Sequence, residues 1–194
     1  MIITIARQCG CSALEVGKLL AAHYHIPFYT RKNLMQIAKD NGILGKMHDF
    51  FEERPVDELM YAISAIENEE GNAETNRHSM RLLADLIGER DCVIIGRCGN
   101  YIFRNRADLV SVFLKGKFEE RVKAMARHDG MSQTEAEEFV RETDDSRVRY
   151  HKYYTGLTWG NADDYDICFD SLRLGTEKTA WFIEKYIEDI GLNR

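Results

Sequence analysis

The sequence lacks a long hydrophobic run. No apolar stretch approaches the roughly 20 residues that a membrane-spanning helix needs. The N-terminal stretch MIITIARQ also lacks the charged region and the long apolar region of a signal peptide. These absences argue against a membrane protein and against a secreted one, so we expect a cytoplasmic protein.

An excess of positive charge is missing as well. The formal net charge is -6, with 30% charged residues, which argues against a surface that binds nucleic acid by non-specific attraction. Local basic clusters can still bind single phosphate groups. A chain of 194 residues with 44% hydrophobic content can bury one sizeable core, so we expect a single domain over residues 1–194.

The cysteines and histidines show no metal-binding spacing. The 5 cysteines are an odd number without the paired C-x-x-C spacing of zinc sites, and the 6 histidines have no ligand spacing either. We predict no protein-bound metal site and interpret the cysteines as reduced thiols. A metal or redox site from Cys9, Cys11 and Cys98 stays open only if their loops converge.

The literal phosphate-binding motif G-x-x-x-x-G-K-[ST] is also absent. Gly17 and Lys18 match only its end, because Ser12 lies where the first glycine belongs and Leu19 where the hydroxyl belongs. What is present is a β-branched run, MIITIA, followed by a loop and an amphipathic pattern. Ser12 and Glu15 match a capping box, so we predict a helix that begins at Ser12 with its amides facing the preceding turn.

Five short apolar runs alternate with helical patterns along the chain: MIITIA, IPFYT, CVIIG, LVSVFL and DICFD. This alternation predicts a parallel α/β sheet with helices between the strands. Ligands bind such sheets beyond the carboxyl ends of the strands, where we expect the loops at 7–12, 96–100 and 170–173 to meet. We interpret the sequence around Gly71 as a loop, and the acidic run over 52–74 as a solvated helix face or a surface for a basic partner.

Arginines and carboxylates are grouped on a second capped helix. Ser132 and Glu135 form a capping box, and the pattern continues to about Tyr150. Asp144 and Arg147 are three residues apart and can pair on a helix. Taken alone, this pattern is typical of surface ion pairs.

With these elements in place, the chain resembles the cytidylate kinase-like family, a branch of the P-loop nucleoside monophosphate kinases. The resemblance rests on the stretches ITIARQCGCSALEVGKLLA, IPFYTRKNL, VIIGRCGNYI and RETDDSRVRYHKYYTGLTWGNADDYDICFDS. It implies a P-loop-type three-layer sandwich, in which a five-stranded parallel sheet has helices on both faces and a helical lid covers the site. The lid would span about 130–160. The implied activity is Mg²⁺-dependent phosphoryl transfer from ATP to a mononucleotide.

Alignment with the family puts Ala13, and not Lys18, at the position of the phosphate-binding lysine of active nucleotide kinases. Leu14 lies at the position of the hydroxyl that would contact Mg²⁺. The family usually has G-S-G-G-R-E-I-G here and already lacks the lysine. Cys11, Ser12 and Ala13 depart further from that pattern.

The resemblance also implies the site residues. For the ATP phosphates these are Arg7 and the loop residues Gly10, Cys11, Ser12 and Ala13. For catalysis they are Arg97, after the third strand, and Arg147 and Arg149 on the lid helix. Asp144 would orient Arg147 or hold a Mg²⁺-bound water.

Two functions remain open at this stage. The first is an ATP-dependent kinase for a nucleoside monophosphate, such as cytidylate, or a related small acceptor. The second is a sensor that binds a nucleotide or phosphorylated ligand without turnover, which the replacements Ala13 and Leu14 would allow. An interaction module built on the acidic run is a weaker third. We expect small-molecule partners, with neither nucleic acid nor membrane among them.

Overall fold

The computed structural model describes residues 1–51 and 71–192, and only the backbone of residues 71–77. Its centre is a sheet of 5 parallel strands in the order β2-β3-β1-β4-β5. The strands are β1 (Ile2–Arg7), β2 (Phe28–Tyr29), β3 (Cys92–Ile95), β4 (Leu109–Lys115) and β5 (Ile167–Asp170). The predicted parallel sheet is therefore confirmed.

Helices connect these strands and cover both faces of the sheet. They are α1 (Ala13–Tyr24), α2 (Arg31–Asp40), α3 (Leu44–Phe51), α4 (Gly71–Ile87), α5 (Gly99–Ile102), α6 (Phe118–Asp129), α7 (Gln133–Thr155), α8 (Ser171–Leu174) and α9 (Thr176–Asp189), with a 3₁₀ turn at Ala162–Asp164. In the described residues, no helix is both long and apolar enough to span a bilayer.

Alternation along the strands divides the core into two layers. Ile3 and Ile5 of β1 pack into one cluster with α1 and α9. Ile2 packs into the cluster on the opposite face, which includes residues of α2, α3 and α4. Successive strand side chains point to opposite faces, so a strand covered on both sides needs apolar residues at nearly every position. Thr4 is a buried polar exception in this strand.

Helices α6 and α7 form a pair beside the loop after β1. The capping box of α7 is confirmed, because Ser132 Oγ accepts from the Glu135 amide at 3.3 Å and Glu135 accepts from the Ser132 amide at 2.9 Å. Val122 and Val140 pack with Cys9 of the loop in a third apolar cluster. The carboxyl end of α7 instead belongs to the second core layer. Helix α7, at Gln133–Thr155, makes up most of the region expected to be a lid.

Several predicted boundaries differ from the observed ones. Helix α4 already begins at Gly71, where we expected a loop, and α7 continues beyond Tyr150 to Thr155. The second strand is only Phe28–Tyr29. Most of the acidic run, residues 52–70, lies outside the described part of the chain, so its predicted surface role has no structural description.

Candidate functional site

The loop between β1 and α1 folds around Gly10. This residue has φ +85°, and a Cβ atom there would lie 2.8 Å from the carbonyl oxygen of Arg121. Glycine is therefore required both by the backbone conformation and by the close approach. In the described residues, the amides of Gly10, Ser12 and Ala13 donate to no acceptor. Orphan amides at the start of a helix are suited to bind an anion.

The predicted capping box at the start of α1 is wrong. Ser12 precedes the helix as expected, but its backbone is left-handed, with φ 49°, and its side chain makes no cap hydrogen bond. A capping side chain needs an extended backbone to reach the amides of the first turn. The amides of this turn consequently remain available to a ligand.

The positions of the missing lysine and hydroxyl are apolar in the structure. Ala13 is buried, and Leu14 is 43% exposed in the first turn of α1. Lys18 lies exposed in the next turn, away from the loop's amides. Burial raises the pKa of the Cys11 thiol to about 12, so this loop side chain stays neutral and adds no negative charge near a bound phosphate.

Asp144 of α7 connects this loop to both helices of the α6–α7 pair. One carboxylate oxygen accepts from the Cys9 amide at 2.7 Å. The other lies 2.5 Å from Nη1 of Arg121, and Arg147 is further away, with 3.6 Å between Nη1 and Oδ1. Asp144 therefore pairs with Arg147 as predicted, but Arg121 is the closer partner. Because this carboxylate is held by two guanidinium groups and an amide, it is poorly placed to hold a Mg²⁺-bound water.

Arg121 is a site residue that the sequence analysis missed. It is 6% exposed and also donates to the carbonyl oxygens of Cys9 at 3.3 Å and Gly116 at 3.1 Å. The available signal was its position in α6, since Phe118, Arg121, Val122 and Met125 share one helix face. A charged residue on an otherwise apolar face indicates a buried, paired side chain.

Arg7 and Arg147 meet at the carboxyl end of β1. Arg147 Nη1 donates to the carbonyl oxygen of Arg7 at 3.3 Å. The Arg7 side chain lies over the loop after β3, because a Cβ atom at Gly96 would come within 2.6 Å of its Nη1 atom. On the other side of the loop, Ser171 Oγ donates to the carbonyl oxygen of Cys11 at 3.0 Å. The three loops expected to meet at this edge therefore do so.

Arg97 holds this edge of the sheet to the neighbouring helices. It is 6% exposed, and its Nη1 donates to the carbonyl oxygens of Phe50 at 2.9 Å and Phe51 at 3.3 Å. Its guanidinium carbon lies 4.8 Å from the centre of the Tyr150 ring. Gly96, Arg97 and Cys98 all have positive φ, at 73°, 53° and 54°, a costly conformation for the two non-glycine residues. Arg97 thus has a structural role besides its predicted contact with a ligand.

A small pocket opens between the ends of β1 and β3 and helix α7. Its lining includes Arg7, Arg97 and Arg147 and, among the described residues, no carboxylate. Arg149 is not part of the lining. Because it lies two residues from Arg147, it faces roughly the opposite side of the helix. The structure therefore brings together three of the four predicted arginines.

The loop fits the phosphates of a nucleotide better than it fits a metal ion. Its amides and the nearby guanidinium groups are suited to phosphate oxygens. In the described part of the chain, no three histidine, cysteine or acidic side chains come close enough to hold a metal. Mg²⁺ usually binds through one or two carboxylates plus the substrate phosphates, and Glu15, exposed beside Leu14 at the start of α1, is the carboxylate nearest the loop in sequence.

Comparisons with known proteins agree with this architecture. The model of the Cytidylate kinase-like family matches residues 2–173. The chain is 21% identical to a cytidylate kinase from Sulfurisphaera tokodaii, over 96% of this chain and 95% of that protein. Among solved structures, an uncharacterized protein from Eubacterium ventriosum is 26% identical, with a TM-score of 0.76 and coverage of 97% of this chain and 98% of that one. A shikimate kinase from Bacteroides thetaiotaomicron shares the fold, with a TM-score of 0.52 at 15% identity and coverage of 97% and 98%.

The family match extends over most of the chain, from the first strand to α8, and includes the loop and the arginine-bearing helix described above. The chain belongs to the cytidylate kinase-like family.

Proposed function

We propose that this protein is an ATP-dependent phosphotransferase that phosphorylates a nucleoside monophosphate, such as cytidylate, or a related small acceptor. The observation that carries the proposal is the meeting of an amide-rich loop with Arg7, Arg97 and Arg147 at one edge of the sheet. The family, and the name of the relative from Sulfurisphaera tokodaii, support a nucleotide as the acceptor.

Phosphoryl transfer suits such a site because it needs little covalent chemistry from the protein. Catalysis comes from positioning the two substrates and from stabilising the charge that spreads over the transferred group. The amides of Gly10, Ser12 and Ala13 bind the phosphates of ATP. Arg147 lies between the loop and the pocket, so it is placed to contact the transferred phosphoryl group. Mg²⁺, when it arrives with ATP, neutralises part of the phosphate charge.

The lid remains part of this proposal. We propose that the region of about 130–160 covers the bound phosphates and that Arg147 follows its movement. Tyr150 and Tyr154 anchor the carboxyl end of α7 in the core, whereas its amino-terminal part packs on α6 and the loop. Because it is not anchored by these tyrosines, we expect movement in the amino-terminal part, with Asp144 at the contact that must adjust.

A second function is favoured by two observations at the loop. Ala13 and Leu14 leave the loop without a lysine or a hydroxyl, and the carboxylate of Asp144 already accepts from the Cys9 amide. Loss of one stabilising group commonly costs about 3–4 kcal/mol of transition-state stabilisation. A protein with these features can bind a nucleotide as a sensor without turning it over.

The direct test is incubation with ATP and Mg²⁺ and a panel of mononucleotides that includes CMP and dCMP, with ADP and the diphosphate products separated by chromatography. We expect product with at least one acceptor and a loss of about 100-fold in Arg147→Ala. Arg127→Ala, an exposed arginine on α6, is the matched control and should retain full activity. ATP binding by calorimetry without product in any mixture would contradict the kinase and support the sensor.

A further inference from the structure

Three polar atoms around the pocket are buried without a hydrogen-bond partner among the described residues. They are Thr4 Oγ1, Arg147 Nε and His151 Nε2, and all three residues line the pocket. Thr4 is 2% exposed and His151 is 4% exposed. Nearly all buried polar atoms in proteins have a partner, and an unmade hydrogen bond of this kind destabilises the fold. Three such atoms at one pocket are suited to hydrogen-bond a polar ligand.

The contact between His151 and Cys98 fits a histidine ring that carries its proton on Nε2. Nδ1 of His151 lies 3.7 Å from Sγ of Cys98. Burial raises the pKa of Cys98 to about 12, so the thiol keeps its proton and is able to donate to Nδ1. Burial also lowers the pKa of His151 to about 4, against the opposing effect of Asp164. With the thiol as the donor, the neutral ring carries its own proton on Nε2, which makes that atom a donor.

The unpartnered atoms form a set that can donate together. Arg147 Nε and His151 Nε2 are donors, and the Thr4 hydroxyl can rotate to become a third. Arg7 and Arg97 add positive charge at the same pocket, whose described lining has no carboxylate. Asp164 acts on the His151 ring but is not part of the lining. Converging donors with excess positive charge are complementary to an oxyanion.

We propose that this pocket binds the phosphate group of the acceptor, with Thr4 Oγ1, Arg147 Nε and His151 Nε2 as hydrogen-bond donors. Thr4 and His151 are then binding residues, and Cys98 is a positioning residue that maintains the His151 tautomer. The identity of the acceptor as a mononucleotide rests on the proposed function, whereas binding of a phosphate group does not. In this arrangement the loop after β1 binds the phosphates of ATP, and the pocket binds the phosphate of the acceptor.

Thr4→Val is the sharpest test, because valine has the shape of threonine without its hydroxyl. If the hydroxyl serves a ligand, its removal leaves the melting temperature unchanged or raised, since an unpartnered polar group has been replaced by an apolar one. The same change should weaken binding of inorganic phosphate and of CMP by roughly tenfold in calorimetry. Cytidine, which has no phosphate, should bind far more weakly than CMP to the unchanged protein.

Thr179→Val is the matched control. Thr179 is buried, but its hydroxyl donates to the carbonyl oxygen of Gly175 at 2.7 Å in another part of the fold. We expect this variant to lower the melting temperature and to leave phosphate affinity unchanged, the reverse of Thr4→Val. A nitrogen NMR spectrum of the histidine rings should in addition show the His151 Nε2 signal move when inorganic phosphate is added, and the tautomer change in Cys98→Ala.

Two results would overturn the inference. One is a Thr4→Val protein that melts earlier and binds phosphate as before, which would mean that the hydroxyl only supports the fold. The other is equal binding of cytidine and CMP. Phosphate binding with no turnover would refute the kinase and leave the inference standing, whereas turnover unaffected by Thr4→Val would refute the inference and leave the kinase standing.

Discussion

The carboxylate of Asp144 accepts a hydrogen bond from the backbone amide of Cys9 at 2.7 Å, between residues separated by 135 positions in the chain. This contact puts a negative group from the expected lid onto the loop expected to bind phosphate. Arg121 and Arg147 balance its charge. A phosphate oxygen can use the same kinds of donors, so a phosphate group bound here would compete with the carboxylate for them.

Asp144→Asn tests the importance of this carboxylate for the fold. Asparagine keeps an oxygen that can accept from the Cys9 amide but leaves the buried Arg121 without its anion. We expect the free energy of unfolding to fall by about 3 kcal/mol, the usual result when one member of a buried ion pair is removed, as measured by urea denaturation. Asp129→Asn, at the exposed end of α6, is the control. Equal urea midpoints for the two variants would contradict the assignment of Arg121 to Asp144.

Gly10→Ala tests the close approach of the loop to α6. Alanine meets two obstacles here, a positive φ and the Arg121 carbonyl oxygen at 2.8 Å. Gly130→Ala is a matched control, because Gly130 also has a positive φ, +68°, but nothing within 4 Å of its Cβ position. We expect Gly130→Ala to cost about 1 kcal/mol of stability. Gly10→Ala should cost distinctly more in urea denaturation and should also abolish ATP binding, and equal effects would show that the approach is unimportant.

Arg97→Ala should lower the stability of the fold in addition to any effect on ligand binding. It removes the donor to the Phe50 and Phe51 carbonyl oxygens and the contact with the Tyr150 ring. Because buried carbonyl groups lose a charged donor, we expect a loss of about 2–4 kcal/mol in the free energy of unfolding. Arg104→Ala, at an exposed position, should lose far less. An Arg97→Ala protein of normal stability would refute this anchoring role.

The buried His151 makes stability depend on pH. Its pKa is lowered to about 4 in the folded protein and is about 6.5 in the unfolded chain, so between these values the unfolded chain binds more protons. The contribution of the neutral ring to the free energy of unfolding is therefore fully present above about pH 6.5. It is lost as the pH decreases towards 4, and its size is about 3 kcal/mol. Urea denaturation from pH 4.5 to 7 should show a steeper slope for the unchanged protein than for His151→Phe.

The control for this pH dependence is His78→Gln, at an exposed position of α4. Its slope should equal that of the unchanged protein over the same range. Comparison between variants is needed because carboxylates also titrate near the lower end of the range. Equal slopes for His151→Phe and the unchanged protein would mean that folding does not lower the pKa of His151.

The order of strands and helices follows from local patterns in the sequence. Runs such as CVIIG and LVSVFL predict strands because β-branched and apolar residues suit strands covered on both faces. The capping box at Ser132 and Glu135 correctly marks the start of α7 because its hydrogen bonds join residues three apart. The same local signal fails at Ser12, where closure of the loop requires a left-handed backbone and moves the side chain out of reach.

The resemblance to the cytidylate kinase-like family was also available from the sequence, and with it the fold and the choice of Arg7, Arg97 and Arg147 as site residues. Their meeting at one pocket is consistent with that choice, while their roles stay predictions. Arg149 was selected from the same stretch, but the helical repeat turns it away from the pocket. The position of each residue on the helix therefore distinguishes Arg147 from Arg149, which the sequence motif does not.

By itself, the sequence determined the parallel sheet, the loop without a lysine and the family, because these depend on residue type and short spacing. Only the tertiary structure decided that Arg121 neutralises Asp144, that Arg97 anchors α3, and that Thr4 and His151 border one polar pocket. The members of each of these pairs come from different elements of the chain. They become neighbours only when the strands, α3, α6 and α7 pack together. The burial that accompanies this packing then determines the protonation of His151 and the energetic importance of each unpaired polar atom.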